Sequence, residues 1–89
     1  MGHRIELGEI EVNVNRLAGI HIAACVYDTN KKKIVLYFVG ELTEGELASA
    51  LKTKLPRYMI PNKIVKLDEM PFTANGKIDR VTLKKNCEQ

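Results

Sequence analysis

The unbroken apolar run Ile34-Val35-Leu36-Tyr37-Phe38-Val39 is the tightest constraint that this chain places on its fold. A strand with one wet face alternates apolar and polar residues, whereas a strand apolar at every position needs cover on both faces. The run is therefore expected in a strand covered on both sides, within a chain of only 89 residues. A chain of that length buries only about 60% of its unfolded surface, so it is expected to form one domain with a thin core and no deep catalytic cleft. The longest apolar run is far below the ~20 residues that span a bilayer. The first residues are polar and acidic, so neither a membrane span nor a secretory signal is expected. With 45% hydrophobic and 28% charged residues, disorder and low complexity are excluded.

Around that strand the remaining elements follow from spacing. Ile10, Val14 and Leu17 share a helix face, but Ile10, Val12 and Val14 also alternate like a strand, so periodicity alone leaves this stretch open. After Gly19, the β-branched and apolar stretch Ile20 to Tyr27 reads as a strand ending at the turn-forming Asp28-Thr29-Asn30. Thr43 followed three residues later by Glu46 has the form of a capping box. Leu47, Leu51 and Leu55 then repeat along one helix face until Pro56. Ile64, Val65 and Leu67 suggest a third strand, Asn75-Gly76 a tight turn, and Asp79 the cap of a short last helix through Leu83. The predicted fold is α+β: a small central, mainly antiparallel three-stranded sheet flanked by two to three helices.

Charge divides the chain unevenly. Met1 to Leu51 hold five basic and seven acidic residues, and Lys52 to Gln89 hold nine and four, for a net +3. The electropositive half suits either an anionic partner or a plainly solvated lysine face. Cys25 and Cys87 form no C-x-x-C pattern and no disulfide framework, so both read as free thiols of a reducing cytoplasm. Cys25 is expected in the core and Cys87 exposed in a polar tail. His3 and His21 lack the spaced partners of a zinc site, and no metal is expected. Without tryptophan, and with few aromatics among its basic residues, the chain lacks the stacking platform of a single-strand nucleic-acid binder. No nucleophile and base pair up, and no phosphate-cradling glycine loop is present. Lys77, just past the Asn75-Gly76 turn, is a mobile cation able to reach a phosphate, or an ordinary turn lysine.

Three segments change the weight of that lysine: Gly2-His3-Arg4-Ile5-Glu6-Leu7-Gly8-Glu9-Ile10-Glu11, Leu55-Pro56-Arg57-Tyr58-Met59-Ile60-Pro61 and Asn75-Gly76-Lys77-Ile78-Asp79-Arg80. In this order they resemble the last three core motifs of adenylate-forming enzymes, the superfamily of acyl- and aryl-CoA synthetases, luciferases and nonribosomal peptide synthetase adenylation domains. They look most like the amino-acid-activating domains and the D-alanine:carrier-protein ligases. The resemblance covers nearly the whole chain and implies a helix after Gly8.

It further implies that residues 1–89 are the mobile C-terminal lid subdomain of an AMP-forming ligase. The N-terminal domain with the phosphate loop and acyl pocket is absent from these residues, as is the hinge Asp or Lys that precedes the first segment in the family. Met1 stands where the family has an interior residue, so the chain reads as an excised or separately expressed lid, inactive alone. By resemblance the parent enzyme uses ATP with Mg2+ to form an aminoacyl-adenylate, then passes the acyl group to the phosphopantetheine thiol of a carrier protein. Lys77 matches the adenylation lysine, with Asn75 and Gly76 shaping its turn. Arg4 matches a residue that contacts the nucleotide phosphates in some members, and Gly2 the glycine beside the pantetheine tunnel. Glu6, Glu9 and Glu11 are expected to be structural, as is Leu55 to Pro61, with Tyr58 and Met59 packing it down. The partners implied are the N-terminal core domain and an acyl or peptidyl carrier protein, in the cytoplasm. The alternatives are the lid of an acyl- or aryl-CoA ligase and a free-standing carrier-docking module.

Overall fold

Ile34 to Val39 lies in the central strand of a three-stranded sheet, covered on both faces. The computed structural model describes residues 7–88. Its elements in chain order are α1 (Leu7–Asn15), β1 (Ile20–Asp28), β2 (Lys33–Gly40), α2 (Glu44–Lys54), a 3-10 turn (Arg57–Met59), β3 (Lys63–Lys66) and α3 (Arg80–Glu88). The strand order is β1-β2-β3.

Alternation along β2 sorts its side chains into two cores, as the two-fold period of a strand requires. Ile34, Leu36 and Phe38 face one layer with Ala23, Cys25, Ile10, Val14, Leu47, Leu51, Leu55 and Met59. Val35 and Tyr37 face the other with Ala24, Val26, Met70 and Leu83. Helices α1 and α2 therefore cover one face, and α3 with the segment before it covers the other. The stretch that periodicity left open is a helix, with Ile10 and Val14 buried and Val12 half exposed.

The sheet is mixed. β1 and β2 form the longer, antiparallel ladder, with Cys25 opposite Leu36, and β2 and β3 pair in parallel, with Leu36 opposite Ile64. A parallel partner needs a crossover, and α2 supplies it. That helix is fixed at its start by the expected capping box: Glu46 N–H donates to Thr43 Oγ1 at 3.0 Å, and Thr43 N–H to Glu46 Oε1 at 2.8 Å. It ends at Leu55, before Pro56.

Three expectations need correction. Met59 packs into the core, but Tyr58 is half exposed, because the link between Pro56 and Pro61 winds through one 3-10 turn and only one of the two can point inward. The last helix does not stop at Leu83. It runs to Glu88, whose carboxylate accepts from Thr29 N–H at 3.1 Å and from its hydroxyl at 2.7 Å, and Cys87 packs partly buried against the second core.

Candidate functional site

The segment from Pro71 to Asp79 folds back on itself as a short hairpin. Asp79 N–H donates to Pro71 O at 2.9 Å, Phe72 bridges Ile78, and Thr73 N–H donates to Lys77 O at 2.7 Å. At the tip, Gly76 N–H donates to Thr73 O at 2.9 Å, closing a four-residue turn. Ala74 and Asn75 have negative φ and Gly76 a φ of +83°, the pattern of a type I turn followed by a left-handed residue. Nothing crowds a Cβ at Gly76, so conformation rather than space calls for glycine there.

This turn decides where Lys77 points. It is exposed, and its ammonium has no hydrogen-bond or ion-pair partner among the described residues. Lys77 N–H reaches Thr73 Oγ1 at 3.3 Å. Thr73 is a residue that the sequence reading missed, although a hydroxyl before a turn is itself a signal for such a bond. Asn75 and Gly76 sit exposed at the tip beside Lys77. Gly2 and Arg4 lie outside the described residues.

The downstream arm is held by Asp79 and Arg80. Asp79 caps α3 as expected, accepting from Thr82 N–H at 3.1 Å and Thr82 Oγ1 at 2.8 Å, and these bonds hold its carboxyl below the ordinary range. Arg80 forms a two-pronged ion pair with Glu11, which engages that carboxylate within the fold. Glu11 Oε2 also accepts Cys25 N–H at 2.7 Å on the free edge of β1. The Arg80 pKa is raised, chiefly by its hydrogen bonds to Glu11. Burial, and then the Glu11 charge, push the Cys25 thiol up to about 12, so it is a protonated core group at neutral pH.

An open groove of about 580 Å3 adjoins the upstream arm, lined by Ile22, Val39, Glu69, Met70, Pro71 and Phe72. Among the described residues His21 pairs only with Glu41, at 2.9 Å on the surface. Among the described residues no three His, Cys, Asp or Glu side chains cluster as a metal site would need, and no helix is long and apolar enough to cross a membrane.

A profile of the AMP-binding enzyme C-terminal domain matches residues 9–77. The chain belongs to that family. Gramicidin S synthase 2 of Brevibacillus brevis is 44% identical over 87 residues, covering 92% of this chain and 2% of that protein. A four-domain nonribosomal peptide synthetase, solved in its holo form with AMP and glycine, is 43% identical, with a TM-score of 0.80 over 90% of this chain and 6% of its own. ATP-bound MatB of Rhodopseudomonas palustris superposes with a TM-score of 0.87 over 99% of this chain and 19% of its own, at 17% identity, and so shows the shared fold. The chain is thus the C-terminal subdomain of an adenylation domain, homologous to those of nonribosomal peptide synthetases. It spans 9% or less of the length of the first curated relatives that it matches.

Proposed function

We propose that this subdomain is the lid of an ATP-dependent, AMP-forming amino acid ligase, and that Lys77 is its catalytic residue for adenylation. One observation carries the role of the lysine: a charge-bearing side chain without a partner among the described residues, set just past the tip of a hairpin whose turn is closed by glycine. In the first step an amino acid carboxylate oxygen bonds to the α-phosphorus of ATP, and the bond from that phosphorus to pyrophosphate breaks. Two anions must approach, and the Lys77 ammonium lowers that repulsion most where charge is greatest, in the transition state. Arg4 would contact the nucleotide phosphates, and ATP would arrive with its Mg2+.

In the second step a phosphopantetheine thiol loses its proton to solvent as its sulfur bonds to the acyl carbon, and the carbon–oxygen bond to AMP breaks. Lys77 then has no work at the site, and rotation of the subdomain withdraws it and turns Gly2 toward the pantetheine arm. In this reading residues 1–89 belong to the lid. Their partners are the N-terminal core domain of the same enzyme and an acidic carrier protein that suits the basic half of the chain. Two free thiols fit a reducing, cytoplasmic setting.

The test of substrate class is ATP–pyrophosphate exchange by the longest natural polypeptide that carries these residues. Exchange stimulated by one amino acid, with transfer to a carrier protein, supports the reading. Exchange stimulated only by an acyl or aryl acid, with transfer to coenzyme A, replaces it with a CoA ligase.

A further inference from the structure

Glu11 and Arg80 stand 69 residues apart in sequence and on opposite layers of the sheet. α1 packs with Ala23 and Cys25, and α3 packs through Leu83 with Ala24 and Val26. The pair closes around the free edge of β1. Arg80 Nη2 donates to Glu11 Oε1 at 2.7 Å, Arg80 Nη1 donates to Glu11 Oε2, and Nη1 also reaches Cys25 O at 3.4 Å. The Glu11 side chain is only 12% exposed, and that of Arg80 48%.

Protecting the strand edge does not require this charge. Two residues earlier, the Ala23 N–H on the same edge is satisfied by a neutral amide, Asn15 Oδ1, at 3.0 Å. What the ion pair adds at Cys25 is a planar, two-pronged link between layers, which fixes orientation as well as distance. Lys77 is three residues away. The hairpin that carries it is exposed from Phe72 to Lys77, and a two-stranded ribbon is marginal by itself. Its aim therefore depends on where its arms enter the fold, at buried Met70 on one side and at Ile78, Asp79 and Arg80 on the other.

We propose that Glu11 and Arg80 are positioning residues for Lys77: their ion pair locks the arm of the lysine hairpin to α1 and the β1 edge, so that both turn as one rigid body. This rests on the reading of Lys77 as the adenylation cation. A misplacement of about 1 Å in a reacting group can cost roughly 10²-fold in rate, so a loosened strut acts on chemistry without touching substrate.

The test uses the longest natural enzyme that carries these residues, with Arg80→Lys and Glu11→Gln made singly and in a Lys77→Ala background. Arg80→Lys keeps the charge but loses the fork. Glu11→Gln keeps an acceptor for Cys25 N–H. Each single variant is expected to lower kcat for amino-acid-dependent ATP–pyrophosphate exchange by about tenfold, with KM for ATP and amino acid within about twofold. In the Lys77→Ala background neither lowers the residual rate further. Hydrogen exchange read by mass spectrometry should speed up over residues 71–79 in both variants and stay unchanged over 34–39. An inactive Lys77→Ala with strut variants that are fully active, or that reduce the residual rate by the same factor again, overturns this proposal alone, as does unchanged exchange over 71–79. A fully active Lys77→Ala overturns the Lys77 reading and the proposal with it.

Discussion

Thr73 and Lys77 hold one another across the hairpin by two bonds: Thr73 N–H donates to the Lys77 carbonyl at 2.7 Å, and Lys77 N–H reaches the Thr73 hydroxyl at 3.3 Å. The hydroxyl bond is the one that a substitution can remove without touching the backbone. A typical net hydrogen bond contributes about 0.5–1.5 kcal/mol, or roughly 2- to 12-fold in a rate that depends on it. Thr73→Val should lower amino-acid-dependent pyrophosphate exchange within that range and leave thioester formation from a pre-made adenylate unchanged. An equal loss in both steps would place Thr73 in overall folding instead.

Gly76 adopts a φ of +83° in open space. A residue with a Cβ in a left-handed conformation costs about 1–2 kcal/mol, and asparagine tolerates it better than alanine. Gly76→Ala should therefore lower the unfolding free energy by about that amount and reduce exchange about tenfold or more, with Gly76→Asn milder in both. The measurements are denaturant unfolding and exchange kinetics. A more stable or fully active Gly76→Ala would contradict the turn geometry.

The capping box and the Asp79 cap were legible because each is written within four residues and names its own bonds, and the leucine repeat because a spacing of four keeps to one helix face. The α1 stretch was not legible in its periodicity, since Ile10, Val12 and Val14 satisfy both periods; the motif resemblance pointed to a helix, and burial of Ile10 and Val14 with Val12 outside bears that out. The direction of β3 was also hidden. Lys63–Lys66 pairs in parallel because α2 intervenes and packs on the sheet, a tertiary cause with no local signature. Long-range side-chain links such as Arg80 to Glu11 and Glu88 to Thr29 were equally silent, and the second of these ties down the end of α3 beyond Leu83. At the site, the position of Lys77 beside a tight turn was readable, and the support that Thr73 gives it was not.

Asp79 gives the subdomain an acid-sensitive joint. A carboxyl whose folded pKa is depressed stabilises the native state above its unfolded pKa of about 3.9, and that stabilisation is lost as pH falls through the lower folded value. Below about pH 4 the melting temperature of the wild type should fall more steeply than that of Asp79→Asn, which keeps a capping side chain but cannot titrate. Parallel acid limbs would remove Asp79 as the cause.

The two thiols should differ in reactivity. Cys25 is buried and pushed up to about 12, and Cys87 is partly buried, with its pKa raised first by burial. Since the thiolate is the reactive form, a disulfide exchange reagent at neutral pH should modify Cys87 first and Cys25 only on unfolding. Rapid modification of Cys25 in the native protein would contradict its place in the core.

Lys77 is tested most directly by separating the two half-reactions in the parent enzyme. Amino-acid-dependent ATP–pyrophosphate exchange and thioester formation from a pre-made adenylate are measured for wild type and Lys77→Ala. Removing one preorganised donor from a developing charge typically costs about 10²–10³ in rate, so exchange should fall by that much while thioester formation stays within about threefold. Exchange at the wild-type rate in Lys77→Ala, or an equal collapse of both steps, would contradict the assignment of this lysine to adenylation.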